Sequence, residues 1–359
     1  MRGKILFQAL LTIVFFCTAC VDSKYDLSKV DTDDITIGDE WVVPLGSGSV
    51  EVDDVIKVYK VPSIQKEKEK EGTDTVYVAR YQGNLSILGA PSGTAVTIPL
   101  TDTPQLIAYS SVDLKELRGL FDQGFVLGLV DPHVMLNAGL TDGDIGCEFE
   151  IAGAKENAKT NFILARDESD VWIGPNESSV VGGYKFYENK EIPKVIEELP
   201  ETISLNLTGK KNTSSTVSIS SIGYELEIPL VPSASFQAVT TEHVKDAFDE
   251  SFVDYLFSGG TATIFGTVTN TMPFDLSFIM KIVDSYGRPL DIVFPEQEIK
   301  GNTGEFSFEI KSEDMYKMVN AKDIQFVMEL SGREQPEALK TNQKISLELK
   351  LKKTGGISI

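Results

Sequence analysis

Phe125-Val126-Leu127-Gly128-Leu129-Val130-Asp131-Pro132-His133-Val134-Met135-Leu136 and Phe265-Gly266-Thr267-Val268-Thr269-Asn270-Thr271-Met272-Pro273-Phe274-Asp275-Leu276 read as one plan written twice. Each is a strand, a proline-bearing kink and a second strand. Proline cannot donate to a β-ladder, so the kink marks an edge or a bulge. Working outward, a short helix is predicted from Asp113, its N-cap, with Leu114, Leu117, Leu120 and Phe121 on one face. A longer helix is predicted from near Thr241, with Val244, Ala247, Phe248, Phe252 and Tyr255 at helical spacing. Downstream, Pro193 to Leu199 forms one helical turn before the strand Ile203-Ser204-Leu205-Asn206-Leu207, and Ser312 caps a similar turn, through Val319, before Ile324-Gln325-Phe326-Val327-Met328. The step from Ile203 to Leu226 is 23 positions, as is that from Ile324 to Leu347. Only the middle differs: Pro132 to Ile203 spans 71 residues and Pro273 to Ile324 spans 51, so the first copy carries 20 extra, placed at about 165–190.

Short alternating strands broken by turns make the chain all-β, with two copies of a size and texture that fit tandem immunoglobulin-like β-sandwiches with short intervening helices. The expected division is a signal peptide at 1–19, a flexible tether at 20–40, an N-terminal β-rich region at 41–110, a first sandwich at 111–235 and a second at 240–359. Thr141-Asp142-Gly143-Asp144 and Ser285-Tyr286-Gly287-Arg288 are read as equivalent hairpin turns. The charge run Lys66 to Glu71 reads as a solvated hairpin tip.

The amino terminus supplies an address. Arg2 and Lys4 precede an apolar run from Ile5 to Phe16, then Cys17-Thr18-Ala19-Cys20. That is a signal peptide ending in a lipobox, although Cys17 stands where a strict lipobox has Leu. The run is shorter than the ~20 apolar residues of a membrane span. Cleavage before Cys20 would leave its thiol and the new amino group acylated, attaching the protein to the membrane; the alternative is an ordinary secreted protein in which Cys20 is incidental. The formal net charge of −21 becomes −23 without Arg2 and Lys4, an acidic surface that repels nucleic acid and anionic bilayer faces. With Cys17 removed and Cys20 modified, Cys147 has no intrachain disulfide partner. It alternates with Ile145, Phe149 and Ile151 and should face a core as a small hydrophobe.

The chain carries few motifs with catalytic or metal-binding chemistry. The two histidines, His133 and His243, have no partner at metal-ligand spacing, and Asp142-Gly143-Asp144 lacks the remaining ligands of an EF-hand loop. No Gly-x-Ser-x-Gly and no phosphate-cradling loop occurs. No metal site, cofactor or enzymatic activity is expected. A glycosidase would instead need two carboxylates meeting in space. The one stretch spare to the fold is the insertion, with Trp172, Tyr184 and Tyr187 as a ligand platform for a sugar ring or a partner protein. The favoured alternative is that Trp172 and Phe186 plug the sandwich edge or its interface with the N-terminal region.

Cys20-Val21-Asp22-Ser23-Lys24-Tyr25-Asp26-Leu27-Ser28-Lys29-Val30-Asp31-Thr32-Asp33, followed by Trp41-Val42-Val43-Pro44-Leu45-Gly46, resembles the opening of many surface or outer-membrane lipoproteins of Bacteroidales. Asn270 to Phe274 and Asp284-Ser285-Tyr286-Gly287 are similar to the C-terminal half of that group, and Asn-x-x-Pro is also similar to late-embryogenesis-abundant-like domains. The resemblance implies β-sandwich domains working in adhesion or envelope assembly. It further implies that Thr75 of Asp74-Thr75-Val76 is an O-glycosylation site. The reading that results is a lipid-anchored outer-membrane or cell-surface protein acting in adhesion or scaffolding through a protein partner. The rivals are a polysaccharide-binding accessory lipoprotein and an envelope glycoside hydrolase.

Overall fold

The computed structural model describes residues 40–68, 74–90, 94–120, 132–166, 170–175, 179–181, 184–197, 199–248, 261–335 and 337–354. Cys20, the tether up to residue 39, the strand predicted at 125–130 and the predicted helix beyond 248 lie outside them. The described residues form an all-β fold, in four sheets that make two stacks.

The second stack in the chain holds eight strands. They are β1 (Glu40–Glu51), β15 (Gln237–Val244), β16 (Thr261–Asn270), β17 (Phe274–Val283), β18 (Gln297–Ile299), β19 (Thr303–Ile310), β20 (Asp323–Gly332) and β21 (Lys344–Thr354). One sheet runs β1-β21-β16-β19 and the other β15-β20-β17-β18, with antiparallel pairing throughout. Counted along the chain, the sheets are 1-8-3-6 and 2-7-4-5, the two Greek keys of a jelly roll. An immunoglobulin sandwich instead places its first strand in a sheet with the second, fifth and fourth. The immunoglobulin-like expectation is therefore corrected. Alternation and turns are common to both folds, and the partner of the first strand distinguishes them.

The first stack repeats this order. Its eight places are taken by β3 (Thr75–Asn84), β6 (Gln105–Asp113), β7 (His133–Asp142), β8 (Asp144–Ala152), β9 (Asn157–Ala165), β10 (Asp170–Gly174), β13 (Thr202–Lys211) and β14 (Thr216–Pro229). Five short strands are added: β2 (Ile64–Lys68) beyond β3, β4 (Ser86–Ile87) beyond β6, β5 (Val96–Pro99) against the start of β14, and β11 (Ser179–Val181) with β12 (Tyr184–Glu188) beyond β10. β12 runs parallel to β10. The extra residues of the first copy thus form the β11–β12 hairpin, and β10, inside the expected insertion, is part of the shared plan.

The segment 41–110 forms no sheet of its own. Its first strand completes the second stack and the rest joins the first, so the first jelly roll is inserted between strands one and two of the second. The repeat alignment holds at its back half, where 202–211 and 323–332 match as β13 and β20. It slips at the front. Pro273 sits in the turn between β16 and β17, whose counterpart is the turn at Gly143, and not Pro132. The paired turns are built from different chemistry: Gly143 has φ +79, while Asn270 donates from its amide to the Phe274 carbonyl (2.7 Å) and accepts from the Met272 N–H (3.0 Å). Thr241 begins no helix, because Val239, Thr240 and Thr241 are a β-branched run inside β15. The helix near Asp113 is present over Lys115–Gly119, with Lys115 N–H donating to Asp113 (2.9 Å). Those at Ile192–Glu197 and, as a 3-10 turn, Met315–Asn320 also form.

Alternation fills both interiors. In β8 the side chains of Ile145, Cys147, Phe149 and Ile151 are buried on one face. In the second stack Phe278 of β17 meets Phe306 of β19 at 5.3 Å and Phe326 of β20 at 5.5 Å, edge-on, tying sheet to sheet. The stacks are joined by main chain. Tyr77 N–H donates to the Leu339 carbonyl (3.0 Å), Leu339 N–H to Leu230 (2.9 Å), Leu230 N–H to Tyr77 (2.9 Å) and Thr341 N–H to Thr75 (2.9 Å). Lys340 pairs with Asp74 at 2.9 Å beside them. Glu40 faces Thr354 at one end of the β1–β21 ladder and Glu51 faces Lys344 at the other. The junction loop leads into that second end.

Candidate functional site

Strand parity decides where the insertion's aromatics point. Val171 and Ile173 are fully buried in the first stack, so Trp172 between them faces outward, on the solvent side of the eight-stranded sheet. Phe186 lies opposite Trp172 across the parallel β10–β12 pair. Their rings stack at 6.1 Å and 21°. His133 of β7 approaches Trp172 edge-on at 6.4 Å. A side chain at Gly174 would strike this imidazole, with a Cβ only 2.4 Å from His133 Cδ2. The glycine is the seat that lets the histidine lie across β10. Trp172, Phe186 and His133 are each half-buried. Trp172 and Phe186 thus stand on the outer face near the β12 edge of the sheet and not in the interior between the sheets.

The predicted trio does not assemble. Tyr187 occupies the opposite parity from Phe186 and packs inward on Phe162 of β9 at 5.6 Å. Tyr184 stands in β12 opposite Val181 of β11. His133 was legible only as an isolated residue; its place beside Trp172 follows from β7 pairing with β10.

A charged band continues the aromatic row across the sheet. In register, Phe186, Trp172, Met135, Glu225 and Gln82 form one line, and Gly174, His133, Glu227 and Arg80 lie along the next. Arg80 gathers three carboxylates, with Nη2 at 2.7 Å from both Glu67 and Glu227 and Nε at 3.3 Å from Glu225. Burial pushes the Glu225 carboxyl up, the Arg80 guanidinium opposes this, and its contact with Glu227 adds to the rise. The carboxylates converge on one guanidinium instead of facing each other across a gap the width of a substrate, the arrangement a glycosidase uses.

The remaining candidates are structural. Cys147 is buried and its thiol is pushed up to about 12 by burial, which leaves almost no thiolate at neutral pH. Hydrogen bonds from Ser214, Thr213 and Asn212 hold the Asp144 carboxyl well below the usual carboxylate range, pinning the β13–β14 turn. Thr75 is half-buried at the start of β3, opposite Lys68, with its carbonyl engaged by Thr341. His243 lies in β15 with Gln325 at 3.4 Å. Among the described residues no group of three or more His, Cys, Asp or Glu is placed to hold a metal ion. A groove of about 520 Å³ crosses the outer face of the β15-β20-β17-β18 sheet, lined by Val239, Ser277, Glu298, Lys300 and Glu329 among others.

Comparison with known proteins places this architecture. A crystal structure of a protein described as secreted, from Parabacteroides distasonis ATCC 8503, is 39% identical, covers 88% of this chain and all of its own, and superposes with a TM-score of 0.64. The CBM22-1–CBM22-2 tandem domain of Paenibacillus barcinonensis Xyn10C matches over 82% of this chain and 99% of its own, at 10% identity and a TM-score of only 0.18. No curated protein matches the chain. The resemblance to Bacteroidales proteins agrees with the first of these. The family model that matches, over residues 25–359, is that of a protein of unknown function, DUF4621, and to that family the chain belongs.

Proposed function

We propose that this is a lipid-anchored protein of the cell envelope that acts in adhesion or scaffolding by protein–protein contact. One observation carries the reading. The strand that follows the tether runs the length of the second stack, about 37 Å at ~3.4 Å per residue, and hands the chain directly to the first stack at its far end. Glu40 and Thr354 meet at one end, and the hydrogen-bonded junction at the other holds the first stack at a fixed distance from Glu40. Such a spacer suits presentation of a surface. The signal segment ending at Cys20 supplies the anchor, and the description of the 39%-identical relative as secreted agrees with an extracytoplasmic site. The O-glycan on Thr75 belongs to this reading as a modification of the junction.

The test compares wild type with Cys20→Ala in the native bacterium. Wild type should incorporate labelled palmitate, partition with detergent, be released by protease from intact cells and crosslink to a discrete envelope protein. Cys20→Ala should lose the label and the crosslink. A Cys20→Ala protein that remains acylated would remove the anchor, and a wild type that crosslinks to no protein would remove the scaffolding role.

A further inference from the structure

We propose that the outer face of the eight-stranded sheet of the first stack is a carbohydrate-binding site for an uncharged polysaccharide, with Trp172, Phe186 and His133 as its stacking surface. This goes beyond the protein–protein reading and stands on separate observations. Two large aromatic side chains on neighbouring strands are turned to the solvent side, while both stacks hold ample apolar interior. Each is half-buried, and the part of the ring left in water forgoes roughly 25 cal/mol per Å² of burial. Their near-parallel rings stack into one apolar ridge on this face, against which the C–H face of a pyranose ring can pack. His133 braces Trp172 edge-on, and Gly174 is bare where a side chain would displace the imidazole.

Hydroxyl groups need partners that are already oriented, and the next rows supply them. Glu225 is half-buried and held by Arg80, with the buried Glu227 behind it, and Gln82 is exposed at the end of the line. The line from Phe186 to Gln82 crosses five strands, about 19 Å at ~4.8 Å per strand. That length accommodates several sugar units laid across the strands. Charge sets the class of sugar. Three carboxylates against one guanidinium, on a chain of net −21, repel uronate and sulfated polymers.

The chain contains two tryptophans, Trp41 and Trp172, so Trp41→Phe makes Trp172 the sole indole reporter. The mature chain from residue 20, with Cys20→Ala and Trp41→Phe, is titrated with laminarin, arabinoxylan, glucomannan and xyloglucan, and with polygalacturonate as the anionic comparator. At least one neutral polymer should change Trp172 emission and retard the protein in an affinity gel. Phe186→Ala should weaken that binding about tenfold or more, and Trp172→Ala, read on the gel, likewise. Gly174→Ala should weaken it by displacing His133. Gln82→Ala, an exposed position whose loss leaves the fold intact, gives a milder reduction. Circular dichroism confirms that each variant folds. The proposal is overturned if no neutral polymer binds, if polygalacturonate binds better, if binding survives Trp172→Ala and Phe186→Ala, or if only a protein ligand protects Trp172.

Discussion

Lys353 offers the sharpest test of how the second stack is held together. Its side chain points into the stack from β21, between Trp41 of β1 and Ala262 of β16 in register. It is 0% exposed, and its ammonium has no hydrogen-bond partner among the described residues. Burial alone lowers its pKa. Lys353→Met keeps the length of the stem and removes the charge, and exchanging a poorly compensated buried charge for an apolar group of similar volume gains about 1–4 kcal/mol. At ~2–4 °C per kcal/mol for a domain of this size, the variant should melt several degrees above wild type at pH 7. The sign follows from proton binding. The folded state holds the lysine proton less tightly than the unfolded chain, so wild type gains stability as pH rises toward the unfolded value of about 10.4. The advantage of Lys353→Met should therefore shrink as the pH rises toward 10. Thermal unfolding by circular dichroism from pH 7 to 10 measures both. A variant that melts below wild type at pH 7, or a gap that does not narrow, would refute the reasoning.

Glu225→Gln should behave in the related way for a carboxyl whose folded pKa is raised. It stabilises the protein at pH 7, and the difference from wild type disappears below about pH 4, where both folded and unfolded chains are protonated; urea unfolding at the two pH values reads it. Asn270→Ala strips the Phe274 carbonyl and the Met272 N–H of their buried partners and should cost about 2–4 kcal/mol in urea denaturation. Asp144, whose folded pKa is depressed, stabilises the β13–β14 turn above its unfolded value of about 3.9 and loses that effect in acid. Asp144→Ala should accordingly speed amide exchange at Ser214 at pH 7. Cys147 should resist a thiol reagent at pH 8 until denaturant is added.

What could be read from the chain was local. Alternation at 145, 147, 149 and 151 gave a true half-buried strand, and equal spacing from Ile203 to Leu226 and from Ile324 to Leu347 marked a true structural repeat, because both report period and length. Pairing was not legible. Residues 40–51 look like the start of an N-terminal region, since nothing in them names a partner roughly 300 positions away. The same blindness hid the site. Trp172 stood out as a rare residue, but only the β7–β10–β12 order brings His133 and Phe186 to it. Tyr187 looked equivalent to its neighbour because aromatic content was counted without strand parity. Helical spacing misled at Thr241 to Val244, where β-branched residues carry the local preference.

The ladder between β1 and β21 also sets an order of biosynthesis. Among the described strands, β1 leaves the ribosome first and its mate β21 follows all the others. The inserted jelly roll can complete itself while the outer one waits, with β16 lacking the neighbour it will share with β1. Early termination that removes residues 344–354 would thus spare the insert and leave its host with two unsatisfied edges, a species prone to self-association.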